Sequence, residues 1–474
     1  MKGARLMDTT YNRLRLKIGL VICLLSVHAA AQNNTALVFT HAGIISMTKE
    51  EVLRDYSVVV RDGKITEVGP SATVTLPPGA TVIDATGKFL IPALSDMHVH
   101  VEGDAWNIMY PKEKQFSRDE IRFDDILFLY IAYGITTVNI MSALHEHIPL
   151  RENIEQNKLI APRLVLSRMI DGAGKAWPPP ISTWVTGADE AKKAVLEMHH
   201  HGYDMVKVYS FLDKISYDTI IATARSLSMP VVGHIPLSTS PEYVVAAGQK
   251  MIAHSEEVMK FAKQYNAAEV DHYASLFAAS DTWVTTTLIL HRNLNALLRN
   301  SDEELTKPGT EYLHPMATGI WNYIYQNLYK PIPTKNREAL IDGYKNFQRP
   351  FVYELNKRGG KLLIGTDALI PSTLPGISLH EELKELVDAG LTPFEALKIA
   401  TTNTFDFLGE RDRAGTIEQG MAANLLLLEK NPLEDITSTR TILGVMTQNR
   451  WISKKDIEIR LTTIRESYAT IRKR

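Results

Sequence analysis

His98 and His100 stand one residue apart in "DMHVHVEG", directly after the apolar run "KFLIPALS". In a strand, residues two apart share a face, so both imidazoles would project to one side while Val99 packs on the other. Two imidazoles on one face suit two ligands on a single cation. Further residues able to ligate a metal or move a proton close other short apolar runs: Lys207 in "DMVKVYS", His234 in "PVVGHIP", His254 in "KMIAHSE" and Asp367 in "KLLIGTDAL". The single cysteine, Cys23, lies in the N-terminal run "IGLVICLLSV", so a metal site farther along must use His, carboxylate or Lys.

Residues so far apart in sequence need a frame that gathers them. Short apolar runs, "LIPALSDMHVH", "GITTVNIM", "RLVLSRMI", "DMVKVYS", "PVVGHIP", "KMIAHSE", "TWVTTTLIL" and "KLLIGTDAL", alternate with segments of helical period such as "AKKAVLEMHHHG", "YDTIIATARSLSM" and "LHEELKELVDAG". Strand-helix alternation predicts a parallel sheet, and these eight units predict an α/β fold, a (β/α)8 TIM barrel over residues 91–408. Such barrels build their sites at the C-terminal ends of the strands, where all six residues fall. The stretch from His291 to Tyr344 exceeds one crossover helix and is expected to add helices over the barrel mouth. Residues 32–90 read as short strands with turn signals, among them Asp62-Gly63 in "YSVVVRDGKITEVG". Similar runs return within residues 409–474, in "GTIEQGMAANLLLLEKNPL" and "TILGVMTQNRWIS", so the two chain ends are expected to close one small β-sandwich domain.

The 474 residues are 45% hydrophobic and 22% charged with a formal net charge of −2, a globular balance with no basic surplus for nucleic acid. Near the N-terminus, "NRLRLK", the apolar "IGLVICLLSV" and the small-residue "HAAAQ" read as the three parts of a secretory signal peptide over residues 1–31. The apolar run falls well short of the roughly 20 residues that span a bilayer. The expectation is an exported protein, periplasmic or secreted, that begins near Gln32 and is free of the membrane after cleavage. Whether copies associate into a homo-oligomer is left open.

With the six residues and their frame in view, the sequence resembles the amidohydrolase superfamily. The motifs that carry the resemblance are, in order, "DMHVH", "GITTV", "DMVKVY", "VVGHIP", "GQKMIAHSEE", "IGTDA", "GLTPFEALKIATTNTFDFLG" and "NPLEDI", and they cover nearly all of the chain after the signal. The "GHIP" and "KVY" forms look most like a secreted prolidase-like or imidazolonepropionase-like branch. The resemblance implies two divalent metal ions, zinc by preference, with His98, His100 and Asp367 on the buried metal and His234 and His254 on the outer one. Lys207, carboxylated by carbon dioxide, would bridge them, because an ammonium repels cations whereas a carbamate is an anionic oxygen ligand. Two such metals lower the pKa of a bridging water, giving hydroxide near neutral pH, and polarise the scissile carbonyl. Asp367 would be the catalytic residue, taking the proton of the attacking water and passing it to the leaving nitrogen. The implied reaction is hydrolysis of a carbon–nitrogen amide bond in a small-molecule substrate, a dipeptide or an N-acyl amino acid.

Candidates for substrate contact lie at the expected barrel mouth. Tyr209 follows Lys207 by two, Lys175 and Trp177 sit in the Gly- and Pro-rich loop "DGAGKAWPPP", and His145 belongs to "HEH" after the second strand. "HHH" at His199 to His201 precedes Gly202 and reads as a solvated helix end. Asn139 stands where relatives commonly carry Arg, which bears on the shape of the second-strand loop. A second enzyme reading is a mononuclear deaminase or cyclic-amide hydrolase. That chemistry uses an acid shortly after the fifth-strand His, and "GHIPLS" has none, which leaves Glu256, two after His254, as the substitute. A third reading, a barrel that kept the fold and lost the chemistry, sits poorly with a complete ligand set.

Overall fold

A computed structural model describes residues 36–101, 103–109, 116–117, 120–174 and 177–473. The expected signal peptide, Cys23 and Lys175 lie outside the described residues.

Among the described residues the barrel strands are β1 (Leu94–Val99), β2 (Ile135–Ile140), β3 (Arg163–Gly172), β4 (Met205–Val208), β5 (Val231–Gly233), β6 (Met251–Ile252), β7 (Trp283–Thr285) and β8 (Leu362–Leu363). Each comes from one of the expected apolar runs, and each pairs in parallel with its neighbour in chain order. Apart from β3 these strands are buried at every position, because the barrel interior covers one face and the helices the other. This is why they read as continuous apolar runs and not as alternation. Met97, Met141, Met205, Met251, Trp283 and Leu363 belong to one buried cluster that fills the barrel. The outer faces pack into the main core, which runs under the helices through Leu94, Val138, Leu166 and Val206.

The ring closes beyond the two residues of β8. Met97 N–H donates to the Ile364 carbonyl at 2.9 Å, Asp367 N–H to the His98 carbonyl at 2.8 Å, and His100 N–H to the Ala368 carbonyl. The pairing of β1 with β2 shifts register between Asp96 and Val99. Regular alternation would put Met97 and His98 on opposite faces. The irregularity instead lets Met97 fill the barrel while His98 and His100 turn to its mouth and Val99 joins the outer core.

Strands from both chain ends form one mixed sheet beside the barrel. Phe89–Pro92 pairs antiparallel with Leu425–Leu428, which joins the two halves, and Phe39, Ile44, Val58, Leu90, Leu425 and Met446 form its core. The chain then enters a helix not expected within residues 409–474, Lys454–Arg472, opened by a capping box between Ser453 and Asp456. It buries Ile457, Ile464 and Tyr468 in the main core, and Arg472 at its end donates to the carbonyls of Thr310, Glu311 and Leu313. The mouth insertion is helical as expected, with Leu288–Arg299, Pro315–Ile324 and Thr334–Gly343 among its helices.

Candidate functional site

All six expected residues meet at the C-terminal end of the barrel. His98 and His100 leave the end of β1, Lys207 sits within β4, His234 follows β5, His254 lies two residues past β6, and Asp367 lies four past β8. Two glycines permit the approach. A Cβ on Gly365 would stand 2.4 Å from Thr285 Cγ2 and 2.8 Å from His98 Cβ, and one on Gly233 would stand 2.1 Å from the Val208 carbonyl oxygen. Asp96 ties β1 to the other edge of the ring. One of its carboxylate oxygens accepts from Thr366 N–H at 3.1 Å and His98 N–H at 3.3 Å, and the other accepts from the Thr366 hydroxyl at 2.6 Å.

Each imidazole is held from behind through Nδ1. His98 Nδ1 lies 3.1 Å from the Ala253 carbonyl, His100 Nδ1 2.6 Å from Ser142 Oγ, and His254 Nδ1 3.1 Å from Thr287 Oγ1. His234 Nδ1 lies 2.9 Å from both Glu257 Oε1 and Ser210 Oγ. A donor bond at Nδ1 leaves the Nε2 lone pair as the ligand atom, the arrangement of a metal-binding histidine. The Nε2 atoms of His98 and His100 converge on Asp367 Oδ1 at 3.1 and 2.9 Å, and Lys207 Nζ lies 3.4 Å from His98 Nε2. The His98 and His254 rings are 4.3 Å apart, and those of His234 and His254 are 5.2 Å apart.

Electrostatics keeps these groups in their metal-binding protonation states. Burial, helped by the Lys207 charge, pushes the His98 imidazole down to about 3. Burial and His98 carry His254 well below the usual histidine range, and burial outweighs Glu257 to lower His234 too. For Asp367 burial acts the other way, but the imidazoles of His98, His100 and His254 together outweigh it and hold the carboxyl well below its usual range. Two buried atoms at this centre, His234 Nε2 and Asp367 Oδ1, carry no hydrogen bond among the described residues. One ligand atom each from His98, His254 and Asp367 lies within 4.8 Å of the others. Neutral imidazoles, an ionised carboxylate and uncommitted lone pairs at one point fit a divalent metal.

The Amidohydrolase family profile matches residues 89–452. The chain belongs to the amidohydrolase family. An adenine deaminase from Rubrobacter xylanophilus is 35% identical over 102 residues, 22% of this chain and 16% of that protein, so the chain spans under a fifth of that relative. The imidazolonepropionase of Idiomarina loihiensis is 22% identical over 428 residues, covering 81% of this chain and 88% of the relative. Among solved structures, a Xaa-Pro dipeptidase with bound methionine in the active site matches 88% of this chain and 100% of its own at a TM-score of 0.68. At 19% identity that likeness is one of fold.

In this amidohydrolase a cavity of about 330 Å³ opens onto the cluster. Trp106, Trp177, Tyr209 and Tyr329 line it beside His100, Lys207, His234, His254 and Asp367. Tyr209, expected as a substrate contact, stacks on His234 with centroids 3.9 Å apart, and its oxygen accepts from Trp177 Nε1 at 3.3 Å. Burial keeps its phenol protonated. Trp177 likewise reaches the cavity, edge-on to Trp106 at 5.7 Å. His145 does not. It is exposed and packs against His201 at 5.2 Å in a separate depression on the barrel flank, because its neighbour His147 takes the inward position. His147 Nδ1 accepts from Leu144 N–H and its Nε2 donates to the Val101 carbonyl, fixing the loop. His199 and His200 are exposed at the end of a helix, as expected.

Glu257, Lys260, Trp106 and Tyr329 belong to the site without having been expected there. Glu257 is buried behind His234, and Lys260 pairs with it across one helical turn. The run "HSEEVMK" carries that three-residue spacing, the one available signal. Trp106 and Tyr329 stand in segments whose position only the folded mouth defines.

Proposed function

We propose that this protein is a metal-dependent hydrolase of a carbon–nitrogen amide bond in a small peptide or N-acyl amino acid. The observation that carries the reading is the set of four imidazoles anchored through Nδ1, with the Nε2 atoms of His98 and His100 turned toward Asp367 and that of His98 also toward Lys207. Relatives named as an adenine deaminase and an imidazolonepropionase act on carbon–nitrogen bonds, which supports the reaction class. His98, His100, His234, His254, Asp367 and Lys207 would hold two divalent ions, zinc by preference. Lys207 would first capture carbon dioxide on a neutral Nζ with loss of one proton, which turns a cation into an anionic oxygen ligand. When bound, the metal pair would acidify a water and polarise the scissile carbonyl.

The chain's own residues do the rest. Asp367 takes a proton from the attacking water and delivers it to the leaving nitrogen. The Tyr209 hydroxyl, which accepts from Trp177, keeps its own proton to donate to a substrate oxygen. Trp106, Trp177 and Tyr329 wall the cavity against bulk water. The test is a hydrolysis screen of dipeptides, N-acyl amino acids, cyclic imides and lactones on metal-loaded protein. Amide cleavage is expected, with loss of at least about a hundredfold in kcat in Asp367→Asn and in Lys207→Ala at unchanged circular dichroism. Rates like those of the wild type in either variant would overturn it.

A second reading has one observation in its favour. The group that already lies within 4.8 Å joins His98 and Asp367 to His254, the ligand assigned above to the outer metal. That trio suits a single-metal deaminase or cyclic-amide hydrolase. One metal per chain, with ammonia released from an aromatic ring and no amide cleavage, would establish it.

A further inference from the structure

We propose that Glu256 selects substrates with a free amino group next to the scissile carbonyl, so that the substrate class is a dipeptide with an unblocked N-terminus and not an N-acyl amino acid. The inference rests on the amide-hydrolase reading above and sharpens it.

Glu256 follows His254 by two residues, in the short helix Ser255–Met259, and lines the cavity that opens onto the cluster. Its side chain is 17% exposed, so it can be reached from the cavity yet is largely withdrawn from water. Its Oε2 lies 3.0 Å from His291 Nδ1, supplied by the mouth helix Leu288–Arg299, and its Oε1 lies 3.5 Å from Lys260 Nζ. Outside the six residues of the candidate metal centre, Glu256 and Lys260 are the charged groups that line the cavity among the described residues. Lys260 is already committed, because it bonds closely to Glu257, the buried carboxylate behind His234. Two carboxylates thus share one lysine, and the one that faces the cavity holds it only at 3.5 Å, which leaves room there for a second cation.

Chemistry decides what can supply it. In a dipeptide the α-ammonium is separated from the scissile carbonyl by a single carbon, so its counter-ion has to stand beside the metal ligands and not deeper in the mouth. Glu256, two residues past His254, stands there. An N-acyl amino acid would press a neutral acyl group against the same carboxylate and leave it poorly solvated, which disfavours binding. Glu256 is not needed as a proton carrier in this scheme, because Asp367 has that part.

The experiment compares kinetics on metal-loaded full-length protein for a panel of free dipeptides, the same dipeptides N-acetylated, and N-acetyl amino acids. The wild type is expected to lose about 10- to 100-fold in kcat/KM on N-acetylation, the range of one charge-assisted hydrogen bond. In Glu256→Gln the KM for free dipeptides is expected to rise by about the same factor with kcat nearly unchanged, while the KM for acetylated substrates falls, because the amide no longer leaves a poorly solvated charge against the acyl group. Glu256→Asp should recover part of the preference. Equal wild-type rates on free and acetylated substrates overturn the inference without any variant and leave the hydrolase reading intact. A collapse of kcat at constant KM in Glu256→Gln also overturns it, since that marks proton transfer. No cleavage of any amide by the wild type removes the underlying reading as well.

Discussion

At His234 the ring is fixed through Nδ1, on the side away from its ligand atom. Glu257 and Ser210 both lie 2.9 Å from Nδ1, so the tautomer and orientation of the ring are set before any ion arrives. Such outer partners are worth about 10- to 100-fold in metal affinity. Glu257→Gln is therefore expected to lose metal by that factor in competition with a chromophoric chelator, while the far-ultraviolet spectrum stays unchanged. Equal affinity would mean that Glu257 serves only Lys260. The six inward groups were legible in the sequence because His, Lys and Asp at strand ends are uncommon and recur at matching places. Their supports were not, because Ser142, Ser210, Thr287 and Glu257 are ordinary polar residues until the barrel brings them behind a ring. His145 shows the converse, since its spacing to His147 repeats that of His98 and His100 without a strand to align the rings.

Elements meet at His380, in the helix Ile377–Asp388. Its Nε2 lies 3.0 Å from the Tyr133 carbonyl, just past the helix Phe123–Ala132, and its Nδ1 lies 2.9 Å from Thr439 Oγ1, in the turn Ile436–Arg440. Burial, reinforced by Arg440, pushes the imidazole down to about 4. The native state therefore holds the neutral ring, and the unfolded chain binds a proton that the native one does not. This contribution to stability is complete above about pH 6.5 and is lost as the pH falls through about 4. The loss should reach about 3 kcal/mol, and His380→Gln should flatten the dependence of the urea midpoint on pH across that window. An unchanged slope in the variant would remove His380 as the cause. The barrel strands were readable at this scale because burial on both faces leaves continuous apolar runs. The helix Lys454–Arg472 was readable too, through the capping box at Ser453 and the apolar series Ile457, Leu461, Ile464, Tyr468 and Ile471, but its neighbours in sequence are strands of the terminal sheet and drew it into that domain.

For the molecule as a whole, the proposed ligands come from five strands, so a metal held by them would bind the closed barrel and not the open chain. Binding of that kind stabilises by about 2.7 kcal/mol per site when free metal is a hundred times Kd. Stripping metal with a chelator is expected to lower Tm by at least a few °C, and adding zinc back should restore it, as followed by calorimetry. A melting curve indifferent to chelation would argue against a resident ion. Asp96 and Thr366, 270 residues apart, add to the backbone bonds that close the ring and bind each other directly beside His98 and Asp367. The contacts that shut the ring are thus the contacts that assemble its ligands. A chain still lacking β8 offers an ion only part of the set, whatever its affinity for the finished site. Metals that suit imidazole and carboxylate overlap in preference and are sorted by supply. Under the proposed export, the compartment in which the last strand docks, and not the one in which the chain is made, would decide which metal the site takes.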